Sequence, residues 1–206
     1  RGSRFSFYIM FVLALPIMIE SRQILQLWLG TPPAQANAFV VWTILSTFTT
    51  LLGNTLVTLQ MAHGDIRRYQ LWITVFGCIP FPLTWLLFKH GLPSIVSYYV
   101  YFAVYWGLIF LRYYLVHGMT GIPANMYLGG VVVKTHLVAF ISAIFPLLIF
   151  YLMPETLFRL LLVATVSVLS SVVVIYTIGM DQAERNFIQD KFLSRITYNF
   201  KKSRCP

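Results

Sequence analysis

The sequence has few charged residues. Only 10% of its 206 positions are Asp, Glu, Lys or Arg, against about 25% in a typical soluble domain. Hydrophobic residues make up 58% of the chain. A water-soluble fold of this size could not cover its surface with so few charges, so the composition excludes a soluble globular domain and favours an integral membrane protein.

Acidic residues are particularly scarce. Six Asp and Glu stand against fifteen Lys and Arg, which gives a formal charge of +9. Such a charge can indicate a nucleic-acid partner, but the basic residues lie at the ends of apolar segments and in the tail. Membrane topology and contact with anionic lipids account for them there. We therefore expect membrane lipids, and no nucleic acid, as partners.

Cysteine is nearly absent, and the usual catalytic signatures are missing. Cys78 lies inside a hydrophobic run and Cys205 lies one residue from the end, so a structural disulfide between them is not expected. The four histidines have no metal-ligand spacing, and no Gly-rich phosphate loop is present. The sequence therefore gives no support for an enzyme, a metal site or a cofactor.

The sequence begins with neither an initiator Met nor a signal peptide. Its first apolar run extends about 25 residues, which is longer than the hydrophobic part of a signal peptide. We therefore expect the chain to be part of a longer protein, with an upstream half before it.

Six apolar segments are each close to the roughly 20 residues that a helix needs to cross a bilayer. The predicted spans are Phe5–Leu29, Phe39–Met61, Tyr69–Phe88, Ile95–Val116, His136–Met153 and Thr156–Ile178. Gly- and Pro-containing turns separate them, and the longest predicted connection runs from Gly118 to Gly130. The sequence thus predicts an all-α, polytopic membrane helical bundle over residues 1–180 and a basic tail over residues 181–206.

Lys and Arg in the short loops indicate the orientation of these spans. One side carries most of them: Arg1, Arg4, Arg67, Arg68, Lys134 and the tail residues Arg185, Lys191, Arg195, Lys201, Lys202 and Arg204. The other side has chiefly Lys89, so both ends are expected in the cytoplasm.

Apolar residues of the tail recur at helical spacing: Phe187, Ile188, Phe192, Leu193 and Ile196. They predict either an amphipathic helix on the inner leaflet or a solvated helical tail.

The second predicted span is unusually polar. At 100° per residue, its polar residues fall in one arc of about 80° and in an adjacent arc. The first arc contains Thr43, Thr47, Thr50, Asn54 and Thr58, and the second contains Ser46, Thr49, Gly53 and Gln60. These arcs either pack against other helices, with hydroxyls bonded to their own backbone, or line a wet cavity. Asn54 and Gln60 are the candidate cavity residues, because amides have more hydrogen-bonding capacity to satisfy.

The fourth predicted span places Tyr98, Tyr101, Tyr105 and Arg112 on one face, within about 60°. Tyrosine rings can stack on sugars and hydrogen-bond to them, while Arg can hold a phosphate with paired donors. This face is therefore a candidate binding surface for a phosphorylated glycan. The alternative is an interfacial tyrosine belt, with Arg112 reaching into lipid headgroups.

Two ionisable residues lie deep in the first predicted span. Glu20 and Arg22 are two positions apart, so they point to nearly opposite sides of a helix and are not expected to pair. Arg22 is a candidate cavity residue, and Glu20 is a candidate for ion coupling if it faces the cavity. An inter-helix bond is the alternative for both.

Two segments in the first two predicted spans and their loops are characteristic: LALPIMIESRQILQLWLGTPP (Leu13–Pro33) and NTLVTLQMAHGDIRRYQLW (Asn54–Trp72). They resemble the bacterial polysaccharide or O-antigen flippases, which move lipid-linked oligosaccharides. The likeness is carried by the Leu-Trp-Leu-Gly-x-x-Pro helix end and by the Gly-x-Ile-x-x-Tyr loop. Multidrug and toxin extrusion transporters and lipid II flippases belong to the same superfamily.

The resemblance implies a transporter with two six-helix lobes around a central cavity. The six spans would be the ninth to fourteenth helices of a fourteen-helix member, that is, part of the second lobe with two extra helices. The first, amino-terminal lobe of the same chain would be absent from this sequence. The implied function is export of polyprenyl-pyrophosphate-linked oligosaccharide units across the bacterial cytoplasmic (inner) membrane, by alternating access, for O-antigen, capsule or exopolysaccharide synthesis.

Two other functions stay open. A multidrug antiporter of the same superfamily would use acidic cavity groups for cationic drugs. The intramembrane residues of this sequence are instead predominantly neutral or basic, with Glu20 as the exception. A membrane glycosyltransferase or polymerase acting on the same lipid-linked glycans would need a catalytic base or a large external loop. Neither is visible in this sequence.

Overall fold

The computed structural model describes residues 2–64 and 66–186, and in these ranges the chain is helical with no β-strand. The α-helices are α1 (Gly2–Ile19), α2 (Ser21–Leu29), α3 (Ala36–His63), α4 (Ile66–Gly77), α5 (Pro80–Lys89), α6 (Val96–Thr120), α7 (Lys134–Leu152) and α8 (Leu157–Val174). Two π-helical segments, Asn125–Val133 and Ile175–Gly179, are continuous with α7 and α8. The predicted amphipathic tail helix lies outside the described residues.

Six helical segments are long and apolar enough to cross a membrane. They are Gly2–Ile19, Ala36–His63, Ile66–Lys89, Val96–Thr120, Asn125–Leu152 and Leu157–Gly179. This confirms the prediction of an all-α bundle with six candidate spans, the architecture of a multi-pass membrane protein.

The first predicted span, Phe5–Leu29, is two helices instead of one. The break falls at Glu20, whose backbone leaves the helical region at φ −101° and ψ 20°. Its carboxylate is paired with Arg159 of α8. The apolar character of the sequence alone does not indicate this break. The following helix, α2, buries Ser21, Gln23 and Leu25.

The fifth membrane helix begins at Asn125, well before the predicted His136. Most of the predicted Gly118–Gly130 connection is therefore helical, and only residues 121–124 separate the two elements. The glycine pair at 129–130 suggests a loop by composition, but in an apolar stretch the backbone has to bond to itself, and glycine is tolerated in membrane helices.

The helices pack in a continuous series. α7 and α8 pack against each other and against α1; α1 packs on α3, and α3 packs on α6. An aromatic cluster of Phe7, Phe11 and Phe48 joins α1 to α3, with the Phe7 and Phe48 ring centroids 4.7 Å apart. The third membrane helix, α4 with α5, lies at the edge of the bundle and packs mainly on α6.

Charged groups link α1 to the residues after α8 at one end of the bundle. Buried Arg4 donates to Asp181 at 2.9 Å and to Glu184 at 2.7 Å, and the amine of Lys134 lies 2.5 Å from the other oxygen of Asp181. We call this end the tail end, and the opposite end, which contains Glu20 and the start of α8, the loop end.

The Asp181 cluster predicts an acid-sensitive contribution to stability. Hydrogen bonds from Arg4 and Lys134 hold the pKa of the Asp181 carboxyl well below its usual range. A carboxyl whose pKa is lowered by folding stabilises fully above its unfolded pKa of about 3.9, and this stabilisation is lost as the pH falls further. We expect Asp181→Asn to lower the melting temperature at pH 7, and the difference from wild type to shrink below about pH 4.

Glu155→Gln is the matched control, because Glu155 is an exposed acid at the loop end. Thermal unfolding of the purified protein, followed across the pH range, checks the prediction. A difference between Asp181→Asn and wild type that stays constant down to pH 3 would contradict it.

Candidate functional site: a polar groove between α3 and α6

The predicted polar face of the second span lies on the outside of the bundle. Thr43, Thr50, Asn54 and Thr58 are exposed, and Thr47 is half-buried. The residues of the adjacent arc are instead buried against neighbouring helices: Ser46, Thr49, Gly53 and Gln60. One side of α3 therefore forms the protein interior, and its neighbouring polar side has no covering helix among the described residues.

The hydroxyls of this outer face bond to their own helix. Thr43 donates to the Phe39 carbonyl at 2.7 Å, and Thr47 donates to the Thr43 carbonyl at 2.9 Å. These bonds satisfy the hydroxyl donors without any ligand, as one of the two sequence alternatives expects. The Asn54 amide differs, because no described residue hydrogen-bonds to it, and its polarity requires a partner outside this bundle or water.

A groove opens between the outer part of α3 and the first half of α6. Its volume is about 390 Å³. The residues that line it are Thr43, Ser46, Thr47, Thr50, Tyr98 and Tyr101. We call this feature the α3–α6 groove. It brings the predicted hydroxyl face of α3 against two of the predicted tyrosines of α6.

Aromatic neighbours fix the tyrosines of this groove. Tyr98 stacks on Phe39 with ring centroids 5.0 Å apart, and Tyr101 stacks on Tyr105 at 4.1 Å. Tyr105 therefore supports Tyr101 from the next turn of α6. Rings held in this way can present a flat surface to a sugar without first being ordered.

Arg112 lies further along the same face of α6, towards the tail end. Its side chain passes directly over Gly53 of α3, where an added Cβ would lie only 3.0 Å from Nη1. The guanidinium interacts electrostatically with the hydroxyls of Tyr69 and Tyr127. Its Nε is buried and has no hydrogen-bond partner within the described chain. Arg112 is thus half-buried between helices.

Three residues around Arg112 were not among the predicted site residues. Tyr127 donates to the Leu52 carbonyl at 2.9 Å, whereas the buried Tyr69 hydroxyl has no partner among the described residues. Gly53 could have been identified from its place in a polar arc, because a glycine there permits close approach. Tyr69 and Tyr127 come from α4 and the first π-helical segment, and no spacing in the sequence relates them to Arg112.

The other predicted site residues lie elsewhere. Gln60 is only 2% exposed and is engaged within the protein, on the side of α3 that faces the bundle. Arg22 is exposed on α2 and lines a separate cavity of about 330 Å³ beside Pro32 and Pro33. The structure therefore does not bring Arg22 to the α3–α6 groove.

Glu20 forms the inter-helix bond that the sequence left open. Both of its oxygens accept from Arg159, from Nε and from Nη2, each at 3.0 Å, and both residues are buried. Arg159 also donates to the Met153 carbonyl and lies over the Phe150 ring. Ion coupling through Glu20 stays a prediction, and in this arrangement it requires release of Arg159.

No group of three or more His, Cys, Asp or Glu in the described ranges could hold a metal ion. Comparison with protein-family models, curated proteins and solved structures gave no match.

Proposed function

We propose that the chain is the carboxy-terminal part of a flippase for polyprenyl-pyrophosphate-linked oligosaccharides in the bacterial inner membrane. The observation that carries this proposal is the α3–α6 groove, with hydroxyls on one wall, stacked tyrosines on the other and Arg112 further along the same face. Sugars suit the tyrosines and hydroxyls, and the diphosphate suits Arg112.

The outward position of the polar face also supports this proposal. An amide exposed to hydrocarbon without a partner costs several kcal/mol, on the order of 2 to 7. A cavity shared with an amino-terminal lobe would give Asn54 and the groove a wet environment instead. The groove would then form one wall of the substrate path, and alternate opening of that path to each side would complete transport.

The charge distribution favours a lipid-linked anion over a cationic drug. The described membrane spans contain no Asp or Glu, and Glu20, at the break after α1, has both oxygens paired with Arg159. An antiporter for cationic drugs would need a carboxylate that is accessible to the drug. Arg112 provides charge of the sign that a diphosphate requires.

The experiment is complementation with the full-length protein in a bacterial strain that lacks its own oligosaccharide flippase but makes the matching glycan. We expect surface glycan to return and the accumulated lipid-linked precursor to fall. Confirmed membrane insertion without any return of surface glycan would overturn the proposal. A return of drug resistance without glycan export would instead favour the antiporter.

A further inference from the structure

A third cavity lies at the tail end, where the last turns of α3 and α6 meet the first turns of α4. Its volume is about 540 Å³, larger than that of the α3–α6 groove. The polar residues that line it are His63, Arg68, Tyr114 and His117. We call it the tail-end pocket.

The tail-end pocket is lined by a cationic side chain, Arg68, and its described lining residues include no carboxylate. Arg68 is exposed, and no ion pair or hydrogen bond joins its guanidinium to another described residue. His117 is held in place, since its Nδ1 lies 2.7 Å from the Ile122 carbonyl and must donate to it. Its Nε2 has no hydrogen-bond partner among the described residues, and the side chain lines the pocket.

An apolar surface continues from the pocket along α4. Leu71, Trp72 and Val75 lie within about 60° of Arg68 on the helical projection. They are 60%, 46% and 60% exposed. On α6, Phe110 lies one turn from Tyr114 and is 45% exposed. The cationic group therefore stands at the end of an apolar face, as in a site that holds a charged headgroup and its acyl chains.

We infer that the tail-end pocket binds the phosphate headgroup of an anionic phospholipid, with its acyl chains along the apolar face of α4. Arg68 provides the paired donors for a phosphate, and basic pockets between membrane helices suit anionic headgroups. A soluble phosphate would share the polar contacts but would make no use of Leu71, Trp72 and Val75. A zwitterionic lipid would bring an ammonium group beside Arg68.

Native mass spectrometry of the purified full-length protein tests this inference. Phosphatidylglycerol is titrated in parallel with phosphatidylcholine, and inorganic phosphate is added as a competitor. We expect tighter binding of phosphatidylglycerol and a loss of at least about fivefold in its affinity in Arg68→Gln. Arg67→Gln is the matched control: it removes the same charge from the next residue, which does not line the pocket. We expect less than about a twofold change there.

Three results would overturn the inference. Equal losses in Arg68→Gln and Arg67→Gln would indicate diffuse surface charge, and equal affinity for the two lipids would remove the headgroup specificity. Displacement of the lipid by inorganic phosphate at comparable concentration would indicate a site for a soluble anion. His63→Gln provides a second pocket variant if Arg68→Gln does not fold. The readout is lipid binding, so its failure is separate from failure of glycan export.

Discussion

Arg159→Met should lower the melting temperature of the purified protein by roughly 6 to 12 °C. Glu20 and Arg159 are 2% and 4% exposed and share two hydrogen bonds of 3.0 Å. Removal of one partner leaves the other charge buried and unpaired, which destabilises by about 3 kcal/mol. For a chain of about 200 residues, this corresponds to the stated fall in melting temperature.

Two further variants distinguish the loss of the Glu20–Arg159 ion pair from the loss of an arginine side chain alone. The double variant Glu20→Met, Arg159→Met leaves no unpaired charge, so it should recover most of the stability of the wild type. Arg22→Met is the matched single control, because Arg22 is an exposed arginine close to Glu20 with no ion pair among the described residues. Arg159→Met and Arg22→Met with the same melting temperature would show that the Glu20 pair contributes nothing.

The second large effect is expected in transport, where Arg112→Ala should reduce glycan export about tenfold or more at normal protein abundance. A hydrogen bond to a charged group contributes about 1.5 to 3 kcal/mol, and a diphosphate would receive more than one from a guanidinium. Surface glycan and lipid-linked precursor in the complemented strain, normalised to membrane-inserted protein, measure the effect. Arg112→Lys should recover export only in part, because a lysine has no planar pair of donors.

Gly53→Ala tests the placement of Arg112 without removing its charge. The new methyl carbon would lie 3.0 Å from Nη1 and 3.4 Å from Cδ, so the side chain has to move. We expect export to fall in this variant although the arginine is present. Arg67→Ala is the control for general loss of positive charge. Unchanged export in Arg112→Ala would remove this residue from the ligand site, and an equal loss in Arg67→Ala would indicate a nonspecific effect of charge.

The apolar segments predict the number and class of the helices, but not where the helices bend. Hydropathy reports which residues avoid water, and it is nearly the same for a straight helix and for α1 followed by α2. The break falls at Glu20, whose ion-pair partner Arg159 is 139 positions away in the chain. The early start of the fifth membrane helix is missed for a related reason, because Gly129 and Gly130 break helices in water but not where the backbone has no water to bond to.

The candidate site is predictable within a single helix and unpredictable across helices. Helical periodicity places Tyr98, Tyr101 and Arg112 on one face of α6, because positions three and four apart share a face. It cannot show that Arg112 passes over Gly53, since that contact depends on helix packing. Periodicity also does not show which polar arc of α3 is buried and which is exposed. In the structure Gln60 lies inside the bundle and Asn54 lies outside it.

The ionic contacts at the two ends of α1 have a mechanical consequence. At the tail end Arg4 holds the residues just after the π-helical continuation of α8, and at the loop end Glu20 holds Arg159 near the start of α8. A slide of α1 along α8 by one helical turn, about 5.4 Å, would separate both sets of charges together. The two helices are therefore held in register with each other at both ends.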